Sequence, residues 1–235
     1  MAEPVALITG SGRGIGAAAA RLFAAKGYRV VLTSRTRAEL EGVAKTLPPG
    51  RCLTVEGDIA DESFVRSLFA KTKAEFGRLD VLVNNAAMVA LGDFPEVDTA
   101  TWDRIMAVNV RGVFLCCREA FELFRAQGGP GSIVNISSLG GLQGTAKFKG
   151  LAAYSTSKFA VTGLTECLAE EGKPFGIRVN CVAPGAVDTA MLRQAAPFLK
   201  TKTTPDDIAV TIYSLGDDRE SKGATGSVVA IHSNL

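Results

Sequence analysis

Seven short apolar runs punctuate the chain: Val5–Thr9, Arg29–Thr33, Cys52–Glu56, Val81–Asn84, Ser132–Ile136, Arg178–Val182 and Ser227–Ile231. Several are unbroken Val/Ile/Leu stretches. A strand with one wet face alternates apolar and polar side chains, whereas a strand covered on both faces does not. Longer segments with helical spacing lie between the runs, at about 14–26, 37–46, 61–76, 100–125, 152–172 and 205–216. Glycines and prolines gather at the joints, as in Pro48-Pro49-Gly50, Gly128-Gly129-Pro130-Gly131 and Pro184-Gly185. Strand and helix alternate from end to end. That order predicts an α/β fold with one doubly wound parallel sheet of about seven strands and helices on both faces. No repeat or low-complexity linker divides the chain, so residues 1–235 are read as a single domain.

Composition adds limits. Apolar residues make up 47% of the 235, enough to bury such a sheet on both faces. A formal charge of +2 gives no field suited to nucleic acid or an acidic membrane surface. The five cysteines are an odd number without metal-ligand spacing, so they are read as reduced, mostly buried thiols in a cytoplasmic protein. His232 is the only histidine, which rules out a histidine-rich metal site and argues against a Ser-His-Asp triad. No metal is expected. No apolar run reaches the ~18 residues of a membrane span, and no secretory signal is evident.

Candidate chemistry sits in two segments. The first is Thr9-Gly10-Ser11-Gly12-Arg13-Gly14-Ile15-Gly16, directly after the first strand. Gly10 and Gly14 allow a sharp turn and close approach of a ligand, and Gly16 is expected to let the helix pack on the sheet. The helix N-terminus then presents unpaired N–H groups to a pyrophosphate. The second segment is Tyr154-Ser155-Thr156-Ser157-Lys158, in which tyrosine and lysine share one helix face. Tyrosine titrates near pH 10. A lysine one turn away is expected to favour the phenolate.

With the two segments in this order, the chain resembles the short-chain dehydrogenase/reductases over nearly its whole length. The resemblance implies a Rossmann-like fold, a nicotinamide cofactor, and reversible hydride transfer between that cofactor and a carbonyl or secondary alcohol. It implies Tyr154 as general acid/base, Lys158 on the nicotinamide ribose, Ser138 on the substrate oxygen, and Asn109 supporting a water relay to the lysine. Cofactor contacts are implied at Gly10, Ser11, Arg13, Gly14, Ile15, Gly16, Ser34, Arg35, Asp58, Ile59, Asn85, Ala86, Tyr154, Lys158, Pro184, Gly185, Val187 and Thr189. Asp58 would meet the adenine edge and Thr189 the carboxamide.

The second strand ends in Thr33-Ser34-Arg35, with Ser34 at the family's acidic position. An acid there binds a ribose 2′-hydroxyl, whereas an arginine accommodates a 2′-phosphate. No carboxylate stands at that position to repel the phosphate, and Arg13 and Arg35 can converge on it. NADPH is therefore the expected cofactor. The first reading is an NADPH-dependent carbonyl reductase or alcohol dehydrogenase. A 3-oxoacyl-carrier-protein reductase is the second, weakened by uncharged Gly129 and Phe175, although Lys147, Lys149, Lys200 and Lys202 can substitute. A non-catalytic NADP-sensing regulator is the third. Relatives suggest a homodimer or homotetramer acting on a small molecule. The chain departs from the family at Ala87, in the long Gly140–Gly150 loop between Ser138 and Tyr154, and in a short segment after Thr189. The loop is expected to bulge over the substrate pocket, and the short segment to leave the site open.

Overall fold

In a computed structural model, which describes residues 3–196 and 198–233, seven parallel strands form one sheet in the order β3-β2-β1-β4-β5-β6-β7. The strands are β1 (Val5–Thr9), β2 (Arg29–Ser34), β3 (Cys52–Glu56), β4 (Val81–Asn84), β5 (Gly131–Ile136), β6 (Ile177–Pro184) and β7 (Val228–Ile231). All seven coincide with the apolar runs to within two residues at either end. The helices are α1 (Gly14–Ala25), α2 (Arg37–Ala44), α3 (Glu62–Phe76), α4 (Thr99–Met106), α5 (Gly112–Gln127), α6 (Ala152–Gly172), α7 (Ala190–Ala195), α8 (Pro205–Gly216) and α9 (Asp218–Ser221).

The alternation of side chains along each strand divides the core into two layers. On β1, Ala6 and Ile8 point to the layer made with α1, α2 and α8. Val5 and Leu7 point to the layer made with α3, α5 and α6. Both layers are apolar and buried, which is why the strands read as continuous apolar runs. The run Ala17–Ala20 is buried, so α1 lies close against its neighbours.

Two features differ from the sequence expectation. The segment expected as one helix at 100–125 is two helices joined by a π-helical turn, Ala107–Arg111. Its helical periodicity continues across the turn, so composition did not mark the break. The short helices α7 and α9 also escaped notice; at six and four residues they lack a periodic signal.

Strand order reverses between β1 and β4. From β1 the chain moves outward to β2 and β3, then returns to β4 and moves the other way. The crevice beyond the carboxyl ends of those two strands is where open parallel sheets take ligands. Both candidate segments lie along this edge.

Candidate active site

The glycine turn follows β1 directly. Gly10 and Gly14 have φ of 65° and 54°, in the left-handed region that favours glycine. A Cβ on Gly10 would come within 2.8 Å of the Ala86 backbone. A Cβ on Gly16 would lie 2.4 Å from the Gly10 carbonyl oxygen and 2.5 Å from the Asn85 amide nitrogen. Gly16 therefore lets the helix start press onto the turn itself, not onto the sheet as the sequence suggested. Ile15 beside it is half-buried and packs on the core. Arg13 stands at the helix start without a side-chain cap, and the first turn holds no acid. The N–H groups there remain open to an anion.

Thr9 and Asn85 hold this turn against the end of β4. The Asn85 amide donates to the carbonyls of Thr9 and Gly10, each at 3.0 Å, and the Thr9 hydroxyl accepts from the Asn85 and Ala86 N–H groups. Ser11 is buried, and its hydroxyl accepts from the Thr33 N–H at 2.9 Å. The side chains of Ser11 and Asn85 thus shape the cradle. Asn84 donates to Asn135 on β5 at 2.9 Å and ties the two central strands together.

Ser34 ends β2, and its hydroxyl is engaged with the Thr36 backbone. Arg35 is exposed beside it. The structure alters the charge balance at this edge. Glu39 of α2 reaches the glycine loop, 3.5 Å from Arg13 Nη1. The sequence reading looked for an acid only at the strand end, whereas this one arrives from the following helix. Asp58 accepts from the Ala60 N–H at 3.0 Å and pairs with Arg104 of α4. Burial raises its carboxyl, but the Ala60 N–H and the Arg104 guanidinium together hold it below the usual range. Arg104 is a second contact that sequence reasoning missed. Its only sequence signal is a position on the solvent side of α4. Ile59 is buried against Gly112 at the head of α5.

At the other end of the crevice, β5 delivers Ser137 and Ser138 against α6. Ser138 accepts from the Gly140 N–H at 3.1 Å, capping a short 3-10 turn, Leu139–Gly141. Its hydroxyl also faces Tyr154 and acts to lower that group's pKa. Lys158 is 3% exposed, donates to the Ile136 carbonyl at 2.8 Å, and has its ammonium 5.7 Å from the Tyr154 ring centroid. Glycine is required at 141, where a Cβ would come within 2.5 Å of the Lys158 backbone. Asn109 lies in the π-helical turn and is fully buried. It exchanges two bonds with the Met88 backbone, at 2.8 and 2.9 Å, and donates to Ser157 Oγ at 3.0 Å. It braces α6 one residue before Lys158, and no hydrogen bond joins it to the lysine itself.

Two pKa directions matter. Burial raises the Tyr154 hydroxyl above 10, and Ser138 beside it pulls it partly back. The expected lowering by Lys158 is not seen; burial is the largest influence on this hydroxyl, and Ser138 is the group that opposes it. Burial lowers Lys158 to about 8.

Pro184 and Gly185 carry the chain off β6, and Val187 is buried. Thr189 Oγ accepts from the Leu192 N–H at 3.2 Å as the cap of α7, and donates to the Val187 carbonyl at 3.2 Å. In this arrangement its hydroxyl serves the turn. Its methyl faces the glycine loop, 3.5 Å from the place of a Cβ on Gly14. The segment beyond is folded back on this turn: Asp188 N–H donates to the Thr203 carbonyl at 2.9 Å, and Thr201 donates to the Ala186 carbonyl at 3.0 Å. The short segment is thus tied down and does not stand away from the site.

The long loop is pinned at several points. Lys147 donates to the Leu142 carbonyl at 2.7 Å, Lys149 pairs with Asp93 at 2.8 Å, and the Phe148 and Phe198 rings meet edge-on at 6.3 Å. A cavity of about 580 Å³ lies beneath it, walled by Phe94, Phe148, Leu151, Thr156 and Phe159. Neither Ser138 nor Tyr154 lines this cavity, so much of the loop faces the opposite side of α6 from the tyrosine.

Three of the five cysteines are buried, Cys52 is half-buried and Cys167 is exposed; all are free thiols. Among the described residues there is no cluster able to hold a metal, and no helix is long and apolar enough to cross a membrane.

This fold and edge belong to a nucleotide-binding oxidoreductase class, and comparison with known proteins names it. The short chain dehydrogenase family profile matches residues 4–199. An uncharacterized oxidoreductase of Thermotoga maritima is 38% identical, covering 97% of this chain and 95% of that protein. A levodione reductase of Leifsonia aquatica is 34% identical, with 95% and 91% covered. The crystal structure of a 3-ketoacyl-(acyl-carrier-protein) reductase from Brucella melitensis, complexed with NADH, superposes with a TM-score of 0.91 at 33% identity, covering 98% of this chain and 97% of that one. The chain belongs to the short-chain dehydrogenase/reductase family and is an oxidoreductase using a nicotinamide cofactor.

Proposed function

We propose that the protein is an NADPH-preferring reductase of small carbonyl compounds, reversible as a secondary alcohol dehydrogenase, with Tyr154 as general acid/base. The observation that carries this reading is the side-by-side placement of Ser138 and Tyr154 over a buried Lys158, at one end of a crevice whose other end is the glycine cradle. The cradle fits a dinucleotide: side chains at 10 and 16 would collide with backbone, and the α1 terminus carries no competing cap. Gly10, Arg13, Gly14 and Ile15 would hold the pyrophosphate end, Arg35 and Asp58 the adenosine, and Lys158, Val187 and Thr189 the nicotinamide end. Bound nicotinamide supplies or accepts the hydride. Ser138 orients the substrate oxygen. Tyr154, held protonated by its raised pKa, donates the proton that oxygen needs in reduction.

The cofactor preference rests on Ser34 and Arg35. A charge-assisted contact to phosphate contributes about 1.5–3 kcal/mol, roughly ten- to hundredfold in affinity. NADPH should therefore show the higher kcat/KM, and Ser34→Asp with Arg35→Ala should reverse the order. Equal values for both cofactors in the unmodified protein would exclude this assignment.

The likeness to a carrier-protein reductase supports a second reading on the same chemistry, reduction of 3-oxoacyl thioesters. NADPH consumption with ketones, diketones, quinones and acyl thioesters separates the two. We also assign the Gly140–Gly150 loop to substrate choice, through the part of it that turns back toward the site, where Thr145 donates to the carbonyl of Leu139, next to Ser138. Deleting Thr145–Lys147 should reorder kcat/KM among substrates and leave NADPH affinity within about threefold; an unchanged ranking in the folded variant would place the loop outside the pocket. Exposed Phe114 on α5 and Phe159 on α6 fit a cytoplasmic homodimer or homotetramer packed through those helices.

A further inference from the structure

We infer that Glu39 sets how strongly this protein distinguishes a 2′-phosphorylated cofactor from an unphosphorylated one. The inference rests on the cofactor crevice proposed above. Gly12 marks the spot. A Cβ built there would lie 2.9 Å from Glu39 Cβ, 3.0 Å from Glu39 Oε2 and 3.0 Å from Ser34 Oγ. The Glu39 carboxylate and the Ser34 hydroxyl thus meet over the glycine loop, beside the strand end that addresses the ribose. The acid missing at 34 is replaced in space by one from α2.

Glu39 is also directed away from its ordinary local role. Thr36-Arg37-Ala38-Glu39 has the spacing of a capping box, in which each side chain bonds the other's backbone N–H. At the start of α8, Thr204 and Asp207 make both bonds of such a box. At the start of α2 the Thr36 side chain makes no cap bond, and the Thr36 N–H donates to Ser34 Oγ at 3.3 Å. The Glu39 carboxylate instead lies 3.5 Å from Arg13 Nη1, with its side chain 34% exposed.

The two cofactors meet this group differently. A ribose 2′-hydroxyl can donate to the carboxylate. A 2′-phosphate brings a second negative charge to it and competes with it for Arg13. Glu39 therefore opposes the preference that Arg13 and Arg35 create, and favours the unphosphorylated cofactor.

The test measures binding without turnover. Dissociation constants for NADPH and NADH are obtained by fluorescence titration for the unmodified protein, Glu39→Gln and Glu41→Gln. Glu41 is on the same helix but pairs with Arg37, so its variant controls for net charge. The ratio Kd(NADH)/Kd(NADPH) should rise at least fivefold in Glu39→Gln, and by less than about twofold in Glu41→Gln. Calorimetry with 2′-AMP and 5′-AMP adds an independent measure: only 2′-AMP should bind Glu39→Gln more tightly. A ratio that rises less than fivefold in Glu39→Gln, or equally in both variants, overturns the inference. If the unmodified protein prefers NADH and Glu39→Gln still raises the ratio, this inference stands and the NADPH preference falls. If it prefers NADPH and Glu39→Gln changes nothing, the reverse holds.

Discussion

Replacing Tyr154 with phenylalanine should lower turnover by about 10²–10⁴-fold, the usual contribution of a positioned acid or base. The ring that packs in the crevice is retained; only the hydroxyl beside Ser138 is removed. NADPH binding should stay within about twofold, since phenylalanine preserves the packing and removes no charge. The pH profile sharpens the test. Burial raises this hydroxyl above 10, so it stays protonated through neutrality and carbonyl reduction should be nearly flat there. Alcohol oxidation needs the phenolate, so its rate should climb as pH rises through the alkaline range. In Tyr154→Phe that climb should vanish. Retention of more than about a tenth of activity on the best substrate would remove Tyr154 from the chemistry.

The second large effect concerns stability. Lys158 is buried and titrates at about 8 instead of 10.5, so the fold holds its charge at a cost. Between those two values the unfolded chain binds more protons than the folded one. Stability therefore rises with pH across that window, and the cost is fully present below pH 8. The gap corresponds to about 3 kcal/mol. Lys158→Met should therefore be inactive yet more stable at pH 7, by about 2–3 kcal/mol after loss of the Ile136 bond. The gain should fade by pH 10.5. Urea unfolding of both proteins at the two pH values checks this, and a pH-independent difference would show that the lysine charge is not the cause.

The fold was legible because its strands are buried on both faces. Val81–Asn84 and Ser132–Ile136 carry no polar alternation that would suggest anything else. The site was legible where a residue type is forced by backbone, as at Gly10 and Gly14 by positive φ. The resemblance to the short-chain family placed Ser138 beside Tyr154, and strand β5 and helix α6 are what bring the two together. What escaped was tertiary. Glu39 reads as an ordinary first-turn acid until α2 folds over Gly12, and Arg104 as a surface charge until α4 reaches Asp58. The Tyr154 pKa was misjudged because a sequence shows the neighbouring charge but not the depth of burial.

The π-helical turn at Ala107–Arg111 acts as a frame marker for everything after it. Removing one residue there would restore a regular helix. It would also turn each following residue by about 100° and draw it back by about 1.5 Å. The place of Gly112, where a Cβ would already lie 2.9 Å from Ile59, would then fall to Val113. A deletion that improves the helix in isolation would thus drive a branched side chain into Ile59 and pull Asn109 off Met88 and Ser157. Chain length in this stretch is as constrained as residue identity, and a library of single-residue deletions should show a gap spanning 107–111 and the helices that adjoin it, in contrast to exposed loops elsewhere.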